Sequence, residues 1–386
     1  MSPLAIHRLR RRFAAPPLRG SLPLEREGTR SLPGPGADPA WGGPAPDRRA
    51  VRVRRLSWML LALCASASQA QPVPVPPLAS KPDLARLDYD LKPRQIAPGT
   101  WVIEGEVADF SRANGCNIIN TGFIVTGDGV VVINTGPSRL YGEQQRRAIE
   151  RVTREPVRRV IALNLHPDYF FGHQAWADRP TQALAGSVAG MQAEGSAYAD
   201  NLYRLCGDWM KGTESTPARE SLDPKALPQT LQVGGHRLEL RRLHGHTADD
   251  LVLIDHTTGV LFAGGLVFAE RVPTTPHAQF APWTASLDTL AQWHAAGQFR
   301  TVVPSHGPVH DGTAGIGQTR DWLQWLGAQM QGSAERGLDL GEVLRLPVPE
   351  RFARWAAQPA ELHRSLTQWY PRYEQQVLGG TTPAPR

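Results

Sequence analysis

The stretch from Arg158 to Trp176, RRVIALNLHPDYFFGHQAW, joins an apolar run to a polar loop. The run Val160–Leu163 is partly β-branched and predicts a strand buried on both faces. Pro167 ends this run, and the loop around it carries His166 and Asp168. Side chains just beyond the carboxyl end of such a strand face the cleft in which open α/β sheets bind ligands. The stretch therefore predicts an α/β fold with a site at one edge of its sheet.

His166 and Asp168 have two interpretations. In a His-Pro-Asp loop the Asp commonly caps the following helix, because its carboxylate accepts hydrogen bonds from the free N–H groups. Imidazole and carboxylate also form a common mixed ligand pair for zinc. Two later loops, each adjoining predicted strands, contain His246 in HGHT and His306 in SHG. The four residues are either unrelated loop residues or metal ligands brought together at one sheet edge.

Predicted strands and helices alternate through the rest of the chain. The turn Gly127-Asp128-Gly129 lies between two apolar runs and predicts a β-hairpin. Helical spacing of apolar residues predicts helices over Tyr141–Thr153, Ser187–Leu205 and Ser286–Ala296. Beyond residue 313 the pattern is helical, and Leu362–Val377 is amphipathic. Further strands are predicted over 100–106, 117–126, 130–134, 182–185, 229–233, 236–243, 251–255, 260–263 and 301–303.

The N-terminal residues form three segments of different composition. Residues 1–50 are rich in Arg, Pro and Gly without hydrophobic periodicity, which predicts a disordered segment or a misassigned start. Residues 51–70 have the pattern of a secretory signal peptide, with Arg residues before the apolar run LSWMLLALCASA and small residues after it. Residues 71–94 are Pro-rich and predict an extended linker. We therefore expect the mature protein in the periplasm.

Charge and cysteine content limit the partners of the mature chain. Residues 1–70 hold twelve Arg and four acidic residues, a net charge of +8, whereas the whole chain carries +6. The remaining chain is thus slightly acidic, and we expect no nucleic-acid partner. The apolar run in 51–70 is too short to cross a bilayer, so no stable membrane span is expected. Cys116 and Cys206 are compatible with a disulfide or with two buried thiols.

The order of the motifs NLHPDY, HGHT, FAGGLVF and PSHG resembles the metallo-β-lactamase fold superfamily. Within that superfamily, residues 109–144 (DFSRANGCNIINTGFIVTGDGVVVINTGPSRLYGEQ) and 164–176 resemble the quinoprotein relay system zinc metallohydrolase group, which is related to SoxH-type proteins. The resemblance covers about residues 95–378. It implies an αβ/βα sandwich over 95–312 and a helical C-terminal extension over 313–386.

The same resemblance implies a metal site that differs from the superfamily pattern. Four residues match metal ligands, whereas other ligand positions hold residues that bind metals poorly or not at all. Asn164 and Tyr169 replace two histidines of the HxHxDH motif, and Gly265 replaces the carboxylate that bridges two metals. We therefore expect one zinc ion, with iron or manganese also admissible because no thiolate is present. The matching ligands are His166, Asp168, His246 and His306, with His173 and His244 as nearby spares.

The resemblance leaves two functions open. If a water completes the coordination of one zinc ion, we expect hydrolysis of an ester, thioester or lactone. Asp168 would then orient the water or act as base, and Tyr169 or Asn164 would donate a hydrogen bond to the developing oxyanion. The alternative is a non-catalytic accessory protein that binds a periplasmic quinoprotein dehydrogenase or cytochrome. Hydrolysis of β-lactams is not expected, because the two-metal site is incomplete.

Overall fold

The computed structural model describes residues 80–379. The predicted N-terminal segment 1–50 and signal peptide 51–70 lie outside the described residues, as do residues 71–79 of the predicted linker. All described residues belong to one compact unit. None of the helices within 80–379 is both long and apolar enough to cross a membrane.

The first sheet contains seven strands in sequence order. Its first four strands are antiparallel neighbours, and the following pairs are parallel. The hairpin at Gly127-Asp128-Gly129 joins β3 to β4, as the sequence predicts, and the side chains of β4 are all buried. The strands are β1 (Arg94–Ala97), β2 (Thr100–Ile103), β3 (Thr121–Val125), β4 (Val130–Ile133), β5 (Val157–Ile161), β6 (Thr181–Leu184) and β7 (Glu220–Leu222).

The second sheet contains six strands in the order β13-β12-β11-β10-β9-β8. The only parallel pair among these described strands is β11 with β12, which places the loop bearing His306 at the same edge as the loop that follows β11. The strands are β8 (Gln229–Val233), β9 (His236–Leu243), β10 (Asp250–Asp255), β11 (Val260–Phe262), β12 (Thr301–Val303) and β13 (His310–Asp311).

Helices cover the outer face of each sheet, and a third apolar core fills the space between the sheets. This is the αβ/βα sandwich that the resemblance implies, and the fold prediction is confirmed. The helices are α1 (Arg139–Val152), α2 (Pro167–Phe170), α3 (Ala185–Cys206), α4 (Phe280–Ala295), α5 (Ala314–Glu335), α6 (Leu340–Val343), α7 (Glu350–Ala353) and α8 (Ala360–Val377).

The C-terminal helices pack on the second sheet. Leu362 and Leu366 of α8 are buried in the same core as Trp283 of α4 and Trp322 of α5. The predicted amphipathic helix over Leu362–Val377 is therefore present, and it begins two residues earlier. Residues of α4 and α5, which lie on either side of residue 313, share one core. The predicted domain boundaries stay predictions.

The start of the described chain differs from the predicted extended linker over 71–94. Residues Asp83 and Asp88 pair through two backbone hydrogen bonds, of 2.7 and 3.0 Å, that close a turn. Tyr89 follows and is fully buried, and its hydroxyl lies 2.9 Å from Ser138 Oγ. A large aromatic side chain is strongly stabilised by burial, so it anchors a segment whose prolines suggested only extension.

An ion-pair network attaches α8 to the loop after β11. Arg271 is almost fully buried, and its guanidinium contacts Glu361 at 3.3 Å and donates to the carbonyl of Ala108 at 2.8 Å. Glu361 is also buried and accepts from Arg364 at 2.8 Å and from the Thr274 hydroxyl at 3.0 Å. Buried charges need such partners, because leaving either one unpaired is costly.

Glu361→Gln removes the negative charge of this network. We expect the free energy of unfolding to fall by about 3 kcal/mol, because Arg271 then remains buried without its closest counter-charge. Urea denaturation measures the change. Glu350→Gln is the matched control, since Glu350 pairs with Arg354 at 3.8 Å on the exposed surface, where ion pairs contribute little. Equal stability of the two variants would show that the network does not hold α8.

Cys116 and Cys206 form a disulfide, with Cα atoms 5.9 Å apart. It joins the loop before β3 to the end of α3. Of the two alternatives that the sequence left open, a disulfide or two buried thiols, the structure has the disulfide.

We expect replacement of both cysteines by Ala to lower the free energy of unfolding by about 2–4 kcal/mol, because the unfolded chain loses a constraint across 90 residues. Urea denaturation of the oxidised protein measures it. Dithiothreitol should destabilise the wild type but leave the variant unchanged.

Candidate metal centre

The four predicted ligands line one cavity. His166 and Asp168 follow β5, His246 lies between β9 and β10, and His306 follows β12. All four side chains face a space of about 120 Å³ at the edge where the two sheets meet. Asp168 lies in the first turn of α2, where the helix cap is His166 and no side chain caps the helix. The helix-cap interpretation of Asp168 is therefore wrong.

Hydrogen bonds fix the tautomer of His306. Its Nδ1 lies 2.8 Å from the carbonyl oxygen of Ile118, which can only accept, so Nδ1 carries the proton. The Nε2 atom is then free of hydrogen and lies 3.5 Å from Asp168 Oδ2. Asn120 holds the loop from the other side, donating to the carbonyl oxygens of Pro304 at 3.0 Å and Gly307 at 2.8 Å.

The His246 ring occupies the space beside Gly265. A Cβ atom at position 265 would overlap His246 Nδ1, so a side chain there requires the ring to move. The bridging carboxylate expected in the superfamily is thus absent, and the imidazole has taken its place. His246 Nε2 is buried and has no hydrogen-bond partner within residues 80–379. A bound ion or water would satisfy this atom.

His166 contacts a histidine that the sequence did not indicate. Its Nε2 lies 2.8 Å from Nδ1 of His277, and His277 Nε2 lies 3.1 Å from Glu194 Oε1. His277 belongs to the Pro- and Thr-rich loop before α4, and Glu194 lies on α3. No spacing rule connects these positions, because they meet only when α3 and this loop pack against each other.

Burial favours the neutral form of three site histidines, His166, His277 and His306, and the neutral form is the one that binds metals. Loss of solvation, reinforced by neighbouring positive charge, lowers the pKa of His166 and His306 well below the usual value. Burial also lowers the pKa of His277, against the opposing effect of Glu194. For Asp168, burial raises the pKa to about 7, although Arg271 opposes the shift.

Asn164 and Tyr169 do not line the cavity. Asn164 accepts from the backbone N–H of His166 at 3.1 Å and donates to Asp250 at 2.7 Å. Its amide therefore orients the loop that carries His166. Tyr169 packs in the core between the sheets, and burial raises the pKa of its hydroxyl well above the usual value. Neither side chain lines the cavity, and their role as oxyanion donors stays a prediction.

The two spare histidines differ from each other. His173 is fully buried, and its Nδ1 lies 3.2 Å from the carbonyl oxygen of Thr216. His244 is exposed and contacts the carbonyl oxygen of Ala248 at 2.6 Å. Neither residue lines the cavity.

The donor set fits a zinc ion in its chemistry. Neutral imidazoles and a carboxylate are zinc ligands, and His246 Nε2 is a buried nitrogen without a partner. In residues 80–379, however, no three His, Cys, Asp or Glu side chains are grouped closely enough to hold a metal as they stand. Side chains that now contact each other, such as His166 with His277, must separate slightly to share an ion.

A family model described as the metallo-beta-lactamase superfamily matches residues 114–306. The chain belongs to this superfamily. The matched residues run from the loop before β3 to His306, so they include all four predicted ligands. Membership explains why the ligand loops lie at one edge of the sandwich, but it does not establish the subgroup.

Solved structures of metallo-beta-lactamases resemble this fold. A metallo-beta-lactamase from Pontibacter korlensis has 23% identity and a TM-score of 0.49, covering 61% of this chain and 99% of its own. The TMB-1 structure has 20% identity and a TM-score of 0.48, covering 61% of this chain and 98% of its own. The DIM-1 metallo-beta-lactamase has 18% identity and a TM-score of 0.47, covering 61% of this chain and 97% of its own. No curated protein matches the sequence.

The contact between His246 and Gly265 leads to a stability prediction. We expect Gly265→Ala to lower the free energy of unfolding by about 1–3 kcal/mol, because the new methyl group must displace a buried ring. Urea denaturation measures the loss. Gly317→Ala on α5 is the matched control, because open space surrounds that position and Ala favours a helix. If Gly265→Ala were as stable as the control, the ring would not be packed against this backbone.

Proposed function

We propose that this chain is a metal-dependent hydrolase that holds one zinc ion at the cavity. The observation that carries the proposal is the convergence of three histidines and one aspartate on one buried space. The unpaired Nε2 of His246 supports it, because a ligating ion would satisfy this atom. His166, Asp168, His246 and His306 would hold the ion.

A zinc ion held there would polarise the carbonyl group of the substrate and lower the pKa of a coordinated water to about 7. The chain's own residues prepare the site for that chemistry. Asp168 lies 3.5 Å from His306 and faces the cavity, where its carboxylate can orient a water and accept its proton. Ile118 and Leu202 contribute apolar walls that exclude bulk water and strengthen the electrostatic interactions inside.

The shape of the site supports an acyl substrate with a large remainder. The inner cavity is about 120 Å³, and an outer groove of about 640 Å³ shares Phe110, Asn201, Thr274 and Pro276 with it. A reacting ester, thioester or lactone group fits the inner space, while the rest of the substrate occupies the groove.

We further propose that the enzyme is exported and acts beside a periplasmic quinoprotein dehydrogenase or cytochrome. The signal-peptide pattern of residues 51–70 and the disulfide between Cys116 and Cys206 support an oxidising compartment. The quinoprotein association rests on the resemblance of residues 109–144 and 164–176 to the quinoprotein relay group.

A second candidate is a binding protein without catalytic activity for the same partners. The observation in its favour is that site side chains are already hydrogen-bonded to one another, notably His166 with His277 and Asn164 with Asp250. In this case the metal site of the superfamily has been replaced by a polar network.

Metal content distinguishes the two functions. The full chain, exported in a bacterial host and purified from the periplasm without chelators, should contain about one zinc per molecule by elemental mass spectrometry. We expect His246→Ala to lose the metal and the hydrolysis of aryl esters, thioesters and lactones. Its zinc affinity should fall more than the roughly 10–100-fold typical of outer-sphere partners.

His294→Ala is the matched control, because His294 lies on α4 with its ring against Phe299, away from the cavity. It should retain metal and activity. A wild-type protein without metal and without hydrolysis would overturn the proposal and favour the binding protein. Two zinc ions per molecule would refute the single-ion site.

A further inference from the structure

We propose that His277 is an additional ligand of the metal ion and that Glu194 orients it for this role. The inference rests on the proposed function, since it concerns the same ion. It adds a ligand that lies outside the sequence motifs and that is supplied by the loop before α4.

The position of His277 relative to His166 is the first argument. The atoms His277 Nδ1 and His166 Nε2 are 2.8 Å apart. Two nitrogen atoms bound to one zinc ion at about 2.0–2.1 Å with tetrahedral angles are separated by about 3.3 Å. The observed distance is within about 0.5 Å of that separation. The nitrogen separation is therefore close to that of two ligands of one ion. Sharing the ion requires both rings to turn towards it and the proton of the present hydrogen bond to leave His166 Nε2.

Glu194 gives His277 the correct tautomer. A carboxylate can only accept, so Glu194 Oε1, which lies 3.1 Å from His277 Nε2, favours the tautomer with the proton on Nε2. The Nδ1 atom then carries a lone pair directed towards His166. A ligating histidine that donates its other ring N–H to a carboxylate is the usual arrangement around protein-bound metals.

The loop that carries His277 is fixed on both sides. From α8, Ser365 Oγ lies 2.7 Å from the Thr275 hydroxyl, and Trp369 donates to the Thr275 carbonyl at 2.9 Å. On the other side, the backbone N–H of Gln279 donates to the carbonyl of Gly245 at 2.7 Å, next to His246. A histidine on such a fixed loop loses little further freedom when it binds a metal.

The sequence position of His277 fits the loss of another ligand. It follows Gly265, which replaces the bridging carboxylate, within the same connection between β11 and α4. Its neighbours Thr274 and Pro276 line the cavity. The chain thus places a new donor near the site from the connection that lost one.

Zinc affinity measured by competition with a chromophoric chelator tests the inference without using activity. We expect His277→Ala to bind zinc at least 10-fold more weakly than the wild type, and Glu194→Gln to bind it about 10-fold more weakly. His294→Ala should bind zinc as the wild type does. Glu194→Gln leaves the loop intact, so it tests the role of His277 even if His277→Ala folds poorly.

Cobalt substitution gives a second readout. Visible absorption of Co²⁺ reports the ligands directly, and we expect the band positions to differ between the wild type and His277→Ala. If wild type, His277→Ala and Glu194→Gln bound zinc with equal affinity and gave the same cobalt spectrum, this inference would fail while the hydrolase proposal stood. If the wild type bound neither metal, both would fail.

Discussion

Hydrogen bonds between the two sheets define the edge on which the site depends. The backbone N–H of Leu251 donates to Leu163 at 3.1 Å, and that of Asn120 donates to Ser305 at 2.8 Å. These bonds connect the end of β5 with β10 and the start of β3 with the loop after β12. They bring the loops of both sheets together, and the apolar core between the sheets stabilises this arrangement. Without these contacts, the loops that carry His166 and His306 would not be held next to each other, because the two loops follow strands of different sheets.

The residues that depart from the superfamily pattern have structural roles of their own. Asn164 no longer offers an imidazole, but its amide links the His166 backbone to Asp250. Gly265 offers no carboxylate, and its missing side chain leaves room for the His246 ring. Both positions have thus lost a metal-ligating group of the superfamily pattern, and in its place Asn164 makes hydrogen bonds and Gly265 allows close packing of the ring.

The C-terminal helix α8 is part of the site's support. Glu361 pairs with Arg271, which lines the cavity, and Ser365 and Trp369 hold the backbone before His277. Because these contacts are buried or partly buried, they restrict the loop more than surface pairs would. The extension thus connects the stability of the second sheet to the geometry of the candidate metal centre.

The sequence by itself determined the elements of the fold and most of the candidate ligands. Period-two and helical patterns, with the Gly127-Asp128-Gly129 turn, encode strands and helices locally, because they depend on neighbouring residues. The motif order then indicated that His166, Asp168, His246 and His306 share one edge. The sequence missed β1, β7 and β13, whose few residues lie within segments that prolines and polar residues made appear irregular.

Only the tertiary structure decided the contacts between distant residues. His166 meets His277 across 111 positions, and Arg271 meets Glu361 across 90. Such pairs carry no local signal, because each residue alone is compatible with an exposed loop or helix face. The buried positions of Tyr169 and Asn164 likewise carry no local signal. Their side chains follow the packing of the layers around them, and that packing is fixed by the whole chain.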